Sequence, residues 1–267
     1  MPETVFTDVR RFASIDSTNR YLLDEARAGA PEGVVAVADH QTAGRGRLGR
    51  TWEAPPGANL LLSVLLRPDI DPADRHLATT VVALAAVDAI GSIELPAAST
   101  VVPVRIKWPN DLVDLEGRKV AGVLAESDLA SASGTEGLPA PVVVGIGINV
   151  NWPGEDDDLP PELQGYAVSL RMLAGGPVDR EELLQGFLAA LGGRAADLAT
   201  ATGRRRLAQG LLAACSTVGT RVRVDLADGS FEGIATGISP EGHLVVESGG
   251  VARTVVAGDV VHVRPGT

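Results

Sequence analysis

Residues 41–50 read QTAGRGRLGR, and they lie between two short apolar runs at residues 34–38 and 59–66. The runs predict two strands, so the segment between them is a long loop. Residues 44–50 alone hold three glycines and three arginines. Glycine lets the backbone approach a ligand closely, and arginine binds phosphate or carboxylate through a bidentate fork. The loop predicts an anion-binding site; the alternative is a flexible, solvated basic loop.

Composition limits the class of protein. The chain has 267 residues and a formal charge of −11, which argues against a general nucleic-acid binder because phosphate neutralisation needs a basic face. The one cysteine, Cys215, excludes an internal disulfide framework and a cysteine-based zinc site, as expected in a reducing compartment. No apolar run approaches the ~18 residues that span a bilayer, and the N-terminus lacks the apolar core of a signal peptide. These features predict a soluble, cytoplasmic protein.

The first four fifths of the chain mix helices and strands. A cap cluster at residues 16–19 and Gly29 bound a first helix. Apolar spacing predicts further helices at residues 74–93, 180–191 and 194–212, the last two separated by Gly192-Gly193. The remaining segments are predicted as strands at residues 104–108, 119–126 and 142–150, neighbouring and antiparallel, with a turn at 110–117 and an exposed connection at 127–141.

From Gly219 the pattern changes to short strands. They are predicted at residues 220–226, 230–238, 243–247, 252–256 and 260–264, separated by turn signals such as Asp228-Gly229 and Gly249-Gly250. This spacing is typical of a small β-barrel. We therefore expect two domains, residues 1–215 and 216–267.

Two further segments carry chemistry. The chain has only two lysines, Lys107 in KWPND (107–111) and Lys119 in GRKVAG (117–122). In KWPND the tryptophan could pack on a base and Asp111 could hold Mg²⁺, or the segment is an ordinary turn after a strand. Residues 145–151 read GIGINVN, where glycine inside a strand marks close approach by a ligand or by another backbone.

The combination resembles the biotin protein ligases. Residues 17–19 (STN), 41–50, 107–111, 117–122 and 145–149 (GIGIN) occur in that family's order, and the resemblance runs from about residue 12 to 264. It implies an α+β fold, with a mixed/antiparallel sheet and helices in a class II synthetase-like catalytic domain, followed by a small SH3-like β-barrel. It also implies an enzyme that activates biotin with Mg²⁺-ATP to biotinyl-5′-AMP and transfers it to a lysine of the biotin carboxyl carrier domain of an acyl-CoA carboxylase.

The resemblance also assigns residues. On the biotin side it implies Ser17, Thr18, Asn19, Gln41, Gly44, Arg45, Gly46, Arg47, Lys119, Gly122 and Gly145. On the ATP side it implies Arg47, Arg50, Trp52, Lys107, Trp108, Asn110, Asp111 and Asn149. Lys119 and Arg45 are the implied catalytic residues, because the biotin carboxylate and the α-phosphate repel each other until a cation neutralises them. Asp111 is the implied Mg²⁺ contact, and the arginine loop is expected to become ordered when ligand binds.

The chain departs from the family in two places. Leu48 stands where a basic residue is common, which leaves Arg45, Arg47 and Arg50 in place. Only about eleven residues precede the resemblance, whereas some family members carry an operator-binding winged helix, so we expect no DNA binding. Monomers and homodimers are both compatible with the family.

Other functions stay open at this point. Lipoate ligases and octanoyltransferases share the fold, although the arginine loop and KWPND argue against them. A catalytically silent biotin-binding module and a DNA-binding repressor are the alternatives from other classes.

Overall fold

The computed structural model describes residues 5–93, 102–127, 138–154, 157, 159, 161, 163–226, 229–256 and 258–262. Most of the connection expected at residues 127–141, the turn residue Asp228 and the last two residues of the strand expected at 260–264 lie outside these ranges.

One mixed sheet forms the larger part of the molecule. Its seven strands are β1 (Asp8–Phe12), β2 (Val34–Ala38), β3 (Leu60–Leu66), β4 (Arg105–Lys107), β5 (Asp111–Val113), β6 (Lys119–Glu126) and β7 (Val142–Ile148). They lie in the order β1-β2-β3-β7-β6-β5-β4. Only β1 and β2 pair in parallel, and every other neighbouring pair is antiparallel. The predicted α+β class with a mixed sheet is confirmed.

Helices cover both faces of this sheet. They are α1 (Thr18–Arg27), α2 (Leu77–Gly91), α3 (Leu170–Ala174), α4 (Arg180–Ala196) and α5 (Ala201–Ala214). The apolar segment α2 is buried along most of its length and packs between the sheet, α4 and α5. Helix α1 packs on β2, β3 and β7 through a separate apolar cluster that includes Leu22, Ala26 and Leu65.

The start of α1 is fixed by its cap. Ser17 accepts a hydrogen bond from the Arg20 amide, and the helix ends just before Gly29, which has φ +88°. A left-handed residue of this kind suits glycine, which has no Cβ to clash. The cap and the apolar face together hold the N-terminus of α1 against the middle of the sheet.

The region after KWPND differs from the prediction. Residues 110–117 were expected to form a turn, but Asp111–Val113 is strand β5, which pairs with β4 and with β6. The turn is confined to its second half, where the buried Asp114 accepts hydrogen bonds from the amides of Glu116 and Arg118 and from Arg118 Nε. A three-residue strand is too short for its alternation to stand out in the sequence.

The predicted break between the last two helices is also wrong. Helix α4 continues through Gly192-Gly193 to Ala196, and the break falls at residues 197–200, where Thr200 caps α5. Each glycine costs about 1 kcal/mol in a helix interior. Packing of α4 along α2 outweighs that cost. Strand β1 and the short helix α3 were not predicted.

The C-terminal part is entirely antiparallel. Strands β8 (Arg221–Leu226), β9 (Gly229–Ile238), β10 (Leu244–Ser248), β11 (Val251–Val255) and β12 (Asp259–His262) form a sheet in the order β11-β10-β9-β8-β12. It contacts the larger sheet where the Ser216 amide donates to the Ile106 carbonyl at 2.8 Å and Thr217 Oγ1 accepts from the Trp108 amide at 3.0 Å. In the part of the chain that the structure describes, no helix has the length and apolar character needed to cross a membrane.

Removing the Asp114 side chain should destabilise the turn that carries Lys119. Asp114→Ala leaves two amides and the Arg118 guanidinium without their acceptor, so the free energy of unfolding should fall by about 2–4 kcal/mol. Urea denaturation measures it. Glu116→Ala, in the same turn but with a 73% exposed side chain, is the control. A loss below about 0.5 kcal/mol for Asp114→Ala would contradict the assignment.

His262 should make the fold sensitive to acid. Burial and the nearby Lys107 lower the pKa of His262 below its ordinary value of 6.5. The unfolded chain therefore binds this proton more readily, and stability should fall as the pH drops below about 6.5. His262→Gln should lose less stability than the parent between pH 7.5 and 5.5 in urea titrations, with His40→Gln as control. Equal losses in the parent and His262→Gln would disprove this role.

Candidate functional site

A cleft lies on the α1 face of the larger sheet, between the start of α1, the arginine loop and strands β6 and β7. We call it the main cleft. It is lined by Ser17, Thr18, Asn19, Gln41, Arg45, Gly46, Arg47, Trp52, Leu62, Asn110, Lys119, Gly122, Val123, Leu124, Gly145, Ile146 and Gly147. Ten of the eleven residues predicted on the biotin side are therefore brought together.

The exception is Gly44, which does not line the cleft but shapes the loop beside it. A Cβ on Gly44 would collide with the Trp52 carbonyl oxygen. The Trp52 amide also donates to the Gly44 carbonyl at 3.0 Å. Gly44 therefore lets the two ends of the loop approach each other.

The floor of the main cleft is polar and buried. Gln41 Oε1 accepts from the Thr18 amide at 2.8 Å and from Thr18 Oγ1 at 3.0 Å. Ser63 Oγ lies 2.7 Å from Thr18 Oγ1 and 2.6 Å from Asn19 Oδ1, so its one hydrogen can serve either acceptor. A Cβ on Gly145 would collide with Asn19 Oδ1, which explains the glycine at that position of β7. The floor thus presents fixed hydroxyl and amide groups at a helix N-terminus.

Trp52 closes the far side of the main cleft by packing on the sheet. An added Cβ would lie 2.5 Å from its indole at Gly147 and 3.0 Å at Gly122. These two glycines are directly paired across β6 and β7. The indole therefore packs directly on the backbone of Gly122 and Gly147, in space that a side chain at either position would occupy. Its Nε1 is buried and has no hydrogen-bond partner among the described residues.

Lys119 lies between Trp52 and Asp111. Its Nζ is 2.8 Å from Asp111 Oδ1 and 5.4 Å from the centre of the Trp52 ring. Asp111 Oδ1 is buried, and no hydrogen bond of normal geometry reaches it among the described residues. The ammonium therefore faces an anion that holds it only by charge.

The arginines of the loop point to different partners. Arg45 donates to Glu126 Oε2 at 3.1 Å. Arg47 donates to Asn110 Oδ1 and to the Gly258 carbonyl, both at 3.0 Å, and Arg50 lies 3.7 Å from Asp259. Between them Leu48 is exposed and has φ +57°, a left-handed conformation that costs a non-glycine residue roughly 1 kcal/mol. The loop is therefore held to both β-sheets by its cations.

A second cleft opens where the two sheets meet, and we call it the interdomain cleft. It is lined by Arg50, Lys107, Trp108, Pro109, Asn110, Asp111, Tyr166, Asp259, Val260 and Val261. Five of the residues predicted on the ATP side are among them. Burial, with a smaller contribution from Asp111, raises the pKa of Tyr166 above 10, so its hydroxyl is a neutral donor at pH 7. Trp108 is mostly buried in the core, with 5% of its surface exposed.

Asn149 lines neither of these clefts but a neighbouring pocket, which it shares with Trp52, Lys119 and Tyr166. Its amide nitrogen donates to the carbonyls of Lys119 and Val168, and its Oδ1 lies 3.4 Å from Asn59 Nδ2. These bonds join the end of β7 to the start of β6 and to the segment before α3. Its predicted role on the ATP side stays a prediction.

The residues fit a Mg²⁺ ion that arrives with a nucleotide. Magnesium is usually held by one or two carboxylates together with substrate phosphates and water. Asp111 has an under-satisfied oxygen, and Asp259 lies in the same interdomain cleft. No group of three or more His, Cys, Asp or Glu side chains in the described ranges could form a site without phosphate.

Several cleft residues were missed in the sequence. Ser63 interrupts the apolar strand LLLSVLL, and Glu126 ends the strand KVAGVLAE as its only acid. A lone polar residue in a buried strand was the available signal for both. Tyr166 and Asp259 had no such signal, because distant segments bring them to the interdomain cleft.

Comparison with known proteins agrees with this arrangement. The Biotin/lipoate A/B protein ligase family matches residues 11–149, and the Biotin protein ligase C terminal domain matches residues 217–263. The chain therefore belongs to the biotin/lipoate A/B protein ligase family.

Individual relatives extend over nearly the whole chain. The Biotin--[acetyl-CoA-carboxylase] ligase of Mycobacterium tuberculosis is 37% identical over 94% of this chain and 88% of that protein. The Bifunctional ligase/repressor BirA of Bacillus spizizenii is 36% identical over 92% of this chain and 71% of that protein. A structure of the biotin protein ligase from Aquifex aeolicus in complex with biotin and ATP superposes with a TM-score of 0.76 and 26% identity, over 97% of this chain and all of that one.

A methyl group at Gly147 should release the arginine loop. Gly147→Ala places its Cβ against the Trp52 indole, so the indole must move away from strand β7. Trypsin cleavage after Arg45, Arg47 and Arg50, followed by mass spectrometry, should then become at least about fivefold faster. Gly237→Ala, in strand β9 with nothing within 4 Å of the new Cβ, is the matched control. Unchanged cleavage in Gly147→Ala would show that Trp52 does not anchor the loop.

Proposed function

We propose that this chain is a biotin protein ligase that uses ATP to form biotinyl-5′-AMP, with release of pyrophosphate, and then transfers biotin to a lysine of a carrier domain. The observation that carries the proposal is the main cleft, where a fixed polar floor faces Lys119, Arg45 and Arg47. The biotin protein ligases among the relatives support the same activity, and the match to the biotin protein ligase C-terminal domain favours biotin over lipoate.

The floor suits the ring of biotin. A cyclic urea offers two N–H donors and one carbonyl acceptor, and it needs complementary groups held at fixed positions. Ser17, Thr18, Asn19 and Gln41 supply hydroxyl and amide groups, and Ser63 holds Thr18 and Asn19 in place. The carboxylate tail would then extend along Gly122 and Gly145 towards Lys119.

The first step needs two anions to meet. A biotin carboxylate oxygen attacks the α-phosphorus of ATP, a P–O bond to pyrophosphate breaks, and a mixed anhydride forms. Lys119 would neutralise both reactants, with Arg45 and Arg47 on the loop side. In the absence of substrate its partner is Asp111, at 2.8 Å. We infer that Lys119 turns from Asp111 to the substrates when they bind.

The nucleotide would occupy the interdomain cleft, where Arg50 and Lys107 are cationic. Mg²⁺ bound with the phosphates would contact Asp111 and reduce their negative charge. In the second step the neutral amine of the acceptor lysine attacks the anhydride carbonyl, AMP leaves, and the amine proton passes to solvent. The loop must exclude water between the two steps, because the anhydride hydrolyses.

The domain division at residues 1–215 and 216–267 is part of this proposal. The change from a mixed to an antiparallel sheet after Cys215 supports it. The acceptor is the carrier domain of an acyl-CoA carboxylase, as the names of the relatives suggest. We expect the enzyme to act in the cytoplasm as a monomer or homodimer.

The test measures the intact mass of a carrier domain after incubation with the protein, biotin and Mg²⁺-ATP. We expect a gain of one biotin that requires ATP. Lys119→Met, which keeps length but removes charge, should lower the rate by about 10²–10³-fold, and Arg205→Met on the exposed face of α5 should leave it near the parent value. A gain with lipoate instead of biotin, or no gain with either, would overturn the proposal.

A further inference from the structure

Glu126 links the arginine loop to the floor of the main cleft, and we call this link the junction. The reaction outlined above gives Glu126 no role. One carboxylate oxygen, Oε2, accepts from Arg45 of the loop at 3.1 Å and from Asn19 Nδ2 of the floor at 2.8 Å. The Glu126 side chain is 24% exposed, and its two partners, Arg45 and Asn19, both line the main cleft. A single atom therefore joins the arginine loop to the floor of the main cleft.

The junction continues a longer chain of hydrogen bonds. From Glu126 it passes to Asn19 and on to Ser63, whose one hydrogen reaches either Asn19 or Thr18, and Thr18 in turn donates to Gln41. Asn19 also donates to the Leu124 carbonyl at 3.2 Å, so its amide orientation is fixed by β6. The position of the Glu126 carboxylate is consequently tied to the groups that would hold the biotin ring.

Arg45 depends on this junction for its position. Glu126 is the carboxylate with which its guanidinium pairs among the described residues. The Arg45 side chain is 48% exposed, so packing alone does not fix it. A charge-assisted hydrogen bond restricts such a side chain far more than a neutral one does.

We propose that Glu126 is a positioning residue that couples the arginine loop to the fixed floor of the main cleft. The proposal rests on the proposed ligase function. Strand β6 fixes the Asn19 amide, Asn19 holds the Glu126 carboxylate, and the carboxylate holds Arg45 beside the cleft. Without the charge of Glu126, Arg45 is less ordered and the loop releases the adenylate before the acceptor arrives.

Glu126→Gln tests the charge separately from the hydrogen bond to Asn19. The glutamine oxygen can still accept from Asn19 Nδ2, but it no longer pairs with a cation. Glu126→Ala removes both interactions. Glu182→Gln, an exposed acid on α4 outside the cleft, is the matched control, and thermal unfolding shows whether each variant is folded.

The readout is adenylate that escapes into solution when biotin and Mg²⁺-ATP are present without acceptor. We expect escape to rise by about threefold to tenfold in Glu126→Gln and further in Glu126→Ala, in keeping with a partly exposed ion pair. Escape from the parent should also increase with salt, because salt screens the Arg45–Glu126 pair, and Glu126→Gln should respond to salt less steeply. A purely structural role would not change the salt response.

The outcomes separate this inference from the proposed function. If the parent releases no pyrophosphate with biotin and ATP, the ligase function fails. If the parent is active but Glu126→Gln, folded as the parent is, matches it in both escape and salt response, the role of Glu126 is overturned. If escape rises in Glu126→Gln and the control is unchanged, the coupling is supported, even where Glu126→Ala fails to fold.

Discussion

The packing of Trp52 on Gly122 and Gly147 is the constraint on which the main cleft depends. Two glycines directly paired across β6 and β7 leave a flat area of backbone, and the indole occupies it. A strand interior normally avoids glycine because it loses conformational entropy and packs nothing. Here the missing side chains make room for an aromatic ring from the loop. The long arginine loop thereby gains a fixed end on the sheet.

With Trp52 packed on the sheet, the charged side chains around it have defined partners. Lys119 lies beside the indole and pairs with Asp111, Arg45 pairs with Glu126, and Arg50 faces Asp259. Three of the cations that the resemblance assigns to anionic substrates, Lys119, Arg45 and Arg50, thus have a carboxylate partner in the protein itself. Binding of substrate would be an exchange of anions at each cation, which avoids leaving a partly buried charge unpaired at any stage.

The sequence predicted the local parts of this arrangement and not its long-range contacts. Strands β2 and β6 and the cap at Ser17 were predicted because periodicity and capping act over a few residues. The hairpin strand β5 and the continuation of α4 through Gly192-Gly193 were not, since pairing and packing with distant segments decide them. For the site, the sequence motifs named eleven residues on the biotin side, and ten of these line the main cleft. Glu126, Tyr166 and Asp259 emerged only when the fold placed them beside those motifs.

Contact between the two sheets explains why a small antiparallel domain belongs to this site. The hydrogen bonds from the Ser216 amide to the Ile106 carbonyl and from the Trp108 amide to Thr217 Oγ1 fix the C-terminal sheet beside KWPND. That placement sets the Gly258 carbonyl 3.0 Å from Arg47 and the Asp259 carboxylate near Arg50. Arg47 and Arg50 of the loop therefore contact a domain that follows them by about two hundred residues in the chain. Arg50 of the loop and Asp259 of the C-terminal sheet both line the interdomain cleft, so the position of the C-terminal sheet and the position of the arginine loop are linked.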